Sequence, residues 1–373
     1  MAVPLLDLVA QYRKIREEVR AAVDAVLDSQ VCIGGPKVAE CEKAVAAYSD
    51  AKFGIGASSG TDALLNALMS AGVGRNDEVI TTTFTFFATA GCIARLGARP
   101  VFVDIDPKTY NIDAKMVARR VSRKTKAIIP VHLFGQMADM DPIMEVARQR
   151  RLAIVEDAAQ AVGATCKGKK AGSVGTCGCF SFFPSKNLGG AGDGGMIVTS
   201  DATLAEMCTV MRNHGSKPKY HHKYVGGNFR LDPIQAAVIT VKLKYLEEWH
   251  EARRANAAYY DARFGGSKKI VTPYVEPHNR MIYNQYVIRI PADRGGSRDQ
   301  VEAHLNSKKI GNAIYYPVPL HLQQCFADLA YKEGDLPHAE QAAREVLALP
   351  IYPELTEAQR DEVATAVLEA VGA

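Results

Sequence analysis

The sequence predicts an α/β protein: a large, mostly parallel sheet followed by a smaller α+β unit. Three observations carry that expectation. Strand-like and helix-like segments alternate from residue 53 to residue 157. Several strand segments, such as Ala127-Ile128-Ile129-Pro130-Val131 and Leu152-Ala153-Ile154-Val155, are apolar throughout, as parallel strands covered by helices on both faces are. Gly265-Gly266-Ser267 then closes a long helical stretch, and the pattern changes beyond it. Length agrees, because 373 residues at roughly 100–200 per domain suggest two domains, or one large domain with an appendage. The expected division is 1–264, including two amino-terminal helices, and 265–373.

Each element has its own reason. Ile15, Val19, Ala22, Val23, Val26 and Leu27 share one face of a helix over 10–29. Gly34-Gly35-Pro36 interrupts it, and Pro36 opens a second helix to about Tyr48, since a first turn needs no N–H from proline. The alternation then gives strands at 53–57, 78–82, 100–105, 126–132 and 152–157, with helices at 61–71, 88–96, 114–121 and 142–150. A polar turn at 167–171 joins short strands. Strands at 177–183 and 196–199 flank a glycine-rich loop, and one long helix is expected over 233–264. The small unit has a strand at 285–290 and helices near 298–307 and 337–347.

Composition excludes several classes. With 47% hydrophobic and 23% charged residues the chain can bury a large core. Its net charge of +4 is spread out, without the basic run of a nucleic-acid binder. No stretch reaches the ~18 apolar residues that span a bilayer. The apolar start lacks a basic region and meets Asp7 at once, so no signal peptide is read and a cytoplasmic location is expected. The eight cysteines form no CxxC pair and are expected to be buried free thiols. The nine histidines form no HExxH, and adjacent His221 and His222 are poorly spaced as ligands, so no metal site is expected.

Two motifs fail on context. Gly190, Gly192 and Gly195 make a formal GxGxxG, but the run leads into a strand rather than opening a helix. GATCKGKK at 163–170 has a lysine where a P-loop needs Ser or Thr, and no apolar helix follows.

Four motifs hold. Asp157 ends a buried strand, where open α/β sheets place ligands. Its charge there demands a cation or strong donors, although a carboxylate at this place serves equally to cap the next helix. Lys186, in Phe182-Phe183-Pro184-Ser185-Lys186-Asn187-Leu188-Gly189, follows apolar or small residues, and a desolvated lysine suits Schiff-base chemistry. Taken alone it also reads as a surface lysine after a strand. Ser58-Ser59-Gly60-Thr61-Asp62 joins a strand to an apolar helix, which is either a phosphate site or a simple N-cap. Thr83-Phe84-Thr85-Phe86-Phe87-Ala88-Thr89 offers a ring to stack on a planar ligand, or aromatic core. Together the four describe a planar, phosphorylated aldehyde with a ring nitrogen, which is pyridoxal phosphate.

GTDAL at 60–64, FTF at 84–86, EDAAQ at 156–160, SFFPSKNLG at 181–189 and GDGG at 192–195 occur in that order. The set resembles the DegT/DnrJ/EryC1/StrS sugar aminotransferases, over nearly the whole chain. The resemblance implies the fold type I, aspartate-aminotransferase-like architecture with a seven-stranded sheet, and pyridoxal 5′-phosphate with pyridoxamine phosphate as its alternate form. It implies that Lys186 bonds the cofactor, Asp157 pairs with the ring nitrogen, Gln160 meets the ring hydroxyl and Phe86 stacks on the ring. Gly60, Thr61, Asp62 and Ser181 would hold the phosphate. Asn228 would reach the phosphate of a neighbouring subunit, which makes a homodimer with shared sites.

Lys186 separates the chain from relatives that carry histidine there and act as dehydratases. His214-Gly215, Tyr220-His221-His222 and GGNFRLDPIQAA resemble the branch that aminates C3 of a nucleotide sugar. The implied substrates are UDP-2-acetamido-2-deoxy-3-oxo-glucose or its glucuronate, with L-glutamate as donor, for cell-surface polysaccharide or lipopolysaccharide. Arg230, His221, Tyr315 and Tyr316 would lie on the sugar side. Tyr315-Tyr316-Pro317 departs from the His-Tyr-Pro common in that branch. The alternatives are a dTDP-3-oxo-6-deoxyhexose 3-aminotransferase, a UDP-4-oxo-sugar 4-aminotransferase and a cofactor-binding regulatory protein.

Overall fold

The structure is a computed structural model that describes residues 2–372. Helices α1 (Leu8–Ser29) and α2 (Gly35–Tyr48) lead into the alternation, α1 capped by Asp7 accepting from the Ala10 N–H. The alternation runs β1 (Phe53–Ala57), α3 (Gly60–Ser70), β2 (Glu78–Thr82), α4 (Ala88–Arg95), β3 (Arg99–Val103), α5 (Ala114–Arg120), β4 (Thr125–Ile129), α6 (Met140–Arg150) and β5 (Ala153–Asp157). A hairpin of β6 (Thr165–Cys166) and β7 (Lys169–Lys170) follows, then β8 (Cys177–Ser181) and β9 (Gly195–Thr199). Helices α7 (Ala202–Met211), α8 (Pro233–Leu243) and α9 (Leu246–Phe264) come next.

Seven strands form one sheet in the order β1-β9-β8-β5-β4-β2-β3. β9 is antiparallel to both its neighbours, and the other six strands run one way. The carboxyl ends of β1, β2, β5 and β8 therefore lie along one edge. Register makes this local: Ala57 and Ser181 both pair with Gly195, and Asp157 pairs with Cys179. Apolar residues fill both faces of the sheet. Ile80, Ile128 and Ile154 face one buried cluster, and Val79, Ala127, Ile129 and Val155 face another.

The remaining elements are β10 (Asn279–Arg280), β11 (Tyr286–Arg289), α10 (Arg298–Ser307), α11 (Pro337–Glu345), β12 (Val346–Leu349) and α12 (Glu357–Val371). β11 and β12 pair antiparallel. Their core, with Tyr286, Leu347, Val363 and Val367, also takes in Tyr260 and Phe264 of α9 and Val3, which bridges to Ile310.

The structure corrects three expectations. The helix expected over 233–264 is two helices, because Lys244 and Tyr245 turn back to carbonyls three residues earlier and the axis breaks there. Neither glycine nor proline marks the break. The helix expected to 347 ends at Glu345, since Val346–Leu349 pairs with β11 and tertiary pairing overrides local periodicity. Helices α7 and α12 add to the elements that the sequence predicts. All eight cysteines are free, but Cys32 and Cys325 are exposed rather than buried.

Gly178 of β8 shows how tightly the sheet is covered. A Cβ there would sit 2.1 Å from the Gly172 Cα, a backbone atom that cannot swing aside. Gly178→Ala is expected to lower unfolding free energy by about 1–3 kcal/mol in a denaturant titration, the usual range for overpacking.

Candidate active site

The shared strand edge gathers the predicted residues. Asp157 is the last residue of β5 and is buried. The Thr89 hydroxyl donates to its Oδ2 at 2.7 Å, and the Ala159 N–H to its Oδ1 at 3.2 Å. Burial raises its pKa, and these donors, with Lys186 and His132 nearby, pull the other way. The residue before it, Glu156, anchors the strand end. It accepts from His132 Nε2 at 2.7 Å and from the Gly172 and Val174 N–H groups at 2.8 Å each. The Ala138 N–H donates to His132 Nδ1 at 3.1 Å, so the histidine proton sits on Nε2.

Lys186 lies in the 182–194 loop between β8 and β9. The Lys186 N–H donates to the Phe183 carbonyl at 2.8 Å, and the Asn187 amide reaches the Ile282 carbonyl at 3.0 Å. The first bond shapes the loop, and the second pins it to the carboxy-terminal part of the chain. Lys186 keeps some solvent access, as a residue that must meet a ligand does, yet protein crowds its amine. Desolvation lowers its pKa to about 8, against an opposing pull from Asp157.

The third part is the start of α3. Ser59 caps it by accepting from the Asp62 N–H at 3.0 Å, and the Ser58 hydroxyl donates to Asp62 Oδ2 at 2.6 Å. The Gly60 and Thr61 N–H groups come first in the helix, where its own pattern supplies no acceptor. They sit at the positive end of the helix dipole and suit an anion. Asp62 instead organises the turn, and its carboxylate would repel a phosphate. Gly60 brings the turn against Ser181, whose Cβ lies 2.6 Å from where a Gly60 Cβ would be.

The aromatic and amide groups complete the edge. Phe86 is 59% exposed and so presents a free ring face. Tyr316 packs against it, with ring centroids 6.4 Å apart. Gln160 accepts from the Phe134 N–H at 2.7 Å and donates to the Tyr316 hydroxyl at 3.1 Å. Tyr316 is thus tied to the cofactor-side amide. Tyr315 lines a small cavity beside Ser185. The two tyrosines precede a buried clamp in which His321 bridges the Thr83 hydroxyl at 2.7 Å and Glu340 at 3.1 Å.

Asn228, Arg230 and His221 stand apart on the loop between α7 and α8. Asn228 and His221 are exposed. Phe229 between Asn228 and Arg230 accepts from the Ser58 N–H at 3.0 Å, which ties this loop to the turn before α3. His221 lies further out in a short turn, its N–H bonded to the Pro218 carbonyl. Sequence reasoning missed Thr89, His132, Glu156 and Asn187. Thr89 carried a readable signal, because Thr85 and Thr89 are one helical turn apart at the strand end.

The donor set fits pyridoxal phosphate. A lysine of lowered pKa suits the aldehyde, a buried carboxylate needs the ring's cation, a helix start suits the phosphate, and an open ring face suits stacking. Fold and site together define a pyridoxal-phosphate-dependent transferase.

Comparison with known proteins narrows the class. Residues 13–368 match the DegT/DnrJ/EryC1/StrS aminotransferase family, and the chain belongs to it. It is 52% identical over 371 residues to the pleiotropic regulatory protein of Geobacillus stearothermophilus, covering 99% of this chain and 98% of that one. It is 42% identical to the UDP-N-acetyl-3-dehydro-alpha-D-glucosamine 3-aminotransferase of Acidithiobacillus ferrooxidans, covering 98% and 97%. It is also 42% identical to the UDP-2-acetamido-2-deoxy-3-oxo-D-glucuronate aminotransferase of Pseudomonas aeruginosa, covering 95% and 96%. Among solved structures, S. venezuelae DesV superposes with a TM-score of 0.96 at 40% identity, covering 100% and 99%. NtdA of Bacillus subtilis, solved with bound pyridoxamine phosphate, gives 0.89 at 29%, covering 99% and 83%.

An amine with a pKa of about 8 captures an aldehyde more readily as it deprotonates. Stopped-flow absorbance of the apoenzyme mixed with pyridoxal phosphate should show the rate rising about five-fold from pH 7 to 8 and levelling above about pH 9. An ordinary lysine would give a rate rising about ten-fold from pH 7 to 8 and still about seven-fold from pH 9 to 10.

Proposed function

We propose that this chain, a pyridoxal-phosphate-dependent sugar aminotransferase, moves the amino group of L-glutamate to C3 of a UDP-linked 2-acetamido-2-deoxy-3-oxo sugar. The 42% identity to two enzymes named for such sugars carries this reading, together with Lys186 at its place in the site. Arg230, whose buried Nε has no hydrogen-bond partner in the single chain, supports an anionic substrate. Tyr315, which lines the cavity beside Ser185, and Tyr316, which packs against Phe86, would meet the sugar.

The bound cofactor supplies a ring that withdraws electrons and a carbon that holds the amino group between two half-reactions. The protein does the rest. Gly60, Thr61 and Ser181 hold its phosphate, Phe86 covers one ring face, and Asp157 keeps the ring nitrogen protonated. Gln160 is placed for the ring hydroxyl. The Lys186 amine removes the proton from Cα of the donor, and a pKa of about 8 leaves a useful neutral fraction near pH 7. The second half-reaction uses the same groups in reverse, so kinetics are ping-pong. Asn228 from a second copy would complete the phosphate site, which makes a homodimer the working unit.

A second reading is favoured by one observation: the relative at 52% identity bears the name of a regulatory protein. The two readings separate on whether glutamate alters the cofactor's visible spectrum.

Lys186→Ala is expected to abolish turnover and the lysine-bound absorbance; normal turnover in that variant would reject the scheme. In the holoenzyme, a UDP-linked 3-amino-2-acetamido sugar should bleach the visible band, while 4-amino and dTDP-linked sugars should not. Bleaching by those sugars alone would move the substrate to another branch. A homodimer predicts that mixing inactive Lys186→Ala with inactive Asn228→Asp restores up to about a quarter of wild-type activity, one competent site in four; no recovery would argue against shared sites.

A further inference from the structure

Asp157 is held more elaborately than a carboxylate that merely faces a cation requires. Its Oδ2 accepts from Thr89 at 2.7 Å, and both residues are buried, Thr89 completely. An ionised carboxylate only accepts, so the Thr89 proton points to Asp157. The Thr89 oxygen then accepts from the Thr85 hydroxyl, 3.2 Å away and also buried. The direction of the chain is thereby fixed as Thr85 to Thr89 to Asp157. Both threonines bracket Phe86 and Phe87 at the start of α4, so the segment that presents the stacking ring also grips the carboxylate.

We propose that Thr89, backed by Thr85, is a positioning residue that holds the Asp157 carboxylate ionised and oriented toward the cofactor's ring nitrogen. The proposal rests on the cofactor assignment above. Thr89 touches neither substrate nor cofactor in this role and acts through Asp157. The groups that face Asp157 come from every side: Lys186 from the loop after β8, His132 from the end of β4, Cys92 from α4, Cys179 from β8 and Tyr316 from the carboxy-terminal part. His132 is committed to Glu156 and Ala138, and burial keeps the two thiols and the phenol protonated across the neutral range. Thr89 is thus the side-chain hydrogen-bond donor to Asp157, and the Ala159 N–H is its backbone counterpart.

The sign follows from which form the donor favours. A hydroxyl donating to the carboxylate stabilises the charged form, so its loss raises the Asp157 pKa. Thr89→Val keeps the shape and removes the donor. The test is a pH titration of cofactor absorbance in the substrate-free holoenzyme. Its acid-side transition is expected to move up by about one pH unit in Thr89→Val, roughly one lost charge-assisted hydrogen bond. Thr89→Ser should stay within a few tenths of wild type, and Thr85→Val should shift in the same direction by less. The glutamate dissociation constant should change less than two-fold while the half-reaction rate falls about ten-fold. If Thr89→Val does not fold, the Thr85→Val shift decides. Wild-type titrations in both valine variants, or a serine variant displaced as far as the valine, would overturn the proposal. Lysine-bound cofactor absorbance that survives in the Lys186→Ala variant would instead reject the cofactor assignment itself, and the proposal with it.

Discussion

A carboxylate buried at the carboxyl end of β5 is the constraint on which this molecule turns. Asp157 sits where water cannot solvate it, and burial pushes it toward the neutral form. Four elements are arranged to oppose that push. Thr89 of α4 and the Ala159 backbone donate hydrogen bonds, the loop after β8 brings a cation, and His132 adds polarity from the end of β4. Such an arrangement makes physical sense when a cationic ring nitrogen completes it. The sheet order explains how it is reached, because β5 is central and its neighbours β4 and β8 deliver His132 and Lys186 to either side.

Lys186 is the other half of the same balance. Desolvation lowers its pKa, and the nearby carboxylate resists that lowering. Amine and carboxylate thus tune each other across one pocket, and the loop between them cannot drift. Asn187 ties it to Ile282, so lysine placement depends on the carboxy-terminal part of the chain as well as on the sheet. The start of α3 is simpler: an anion there would need free N–H groups and a close approach, and the Gly60 turn lies close against Ser181.

Much of this was legible in the residues. The apolar runs placed the parallel strands, and the strand ends then placed Asp157, Ser58–Asp62 and Phe86 on a common edge. Lys186 was legible because lysine between apolar residues and glycines is unusual. The break at Lys244-Tyr245 was not, since it arises from three-residue turns that no special residue marks. The switch from α11 to β12 was hidden for a related reason: Val346–Leu349 becomes a strand only because β11 lies beside it. The supporting groups around Asp157 were hidden because their partners are distant in sequence. Thr89 is 68 residues from Asp157 and His132 is 24 from Glu156, and no local pattern records such pairings.

The cofactor side and the sugar side differ in kind, and that difference explains why they were not equally readable. Apart from Asn228, the expected cofactor groups sit at or just beyond strand ends and helix starts, whose positions follow from secondary structure. The groups expected on the sugar side, His221 and Arg230, ride on one loop, and Tyr315 and Tyr316 on another, each loop fixed by single contacts such as Phe229 to Ser58 or Tyr316 to Gln160. Loops vary where scaffolds do not, so substrate choice can change while the catalytic edge persists. The names of relatives do not follow overall identity: the relative at 52% is named for regulation and those at 42% for UDP-sugar amination. Function follows from the groups that meet the ligand. Here those groups include an amine of lowered pKa facing a braced carboxylate, an expensive arrangement to retain in a protein that performs no proton transfer.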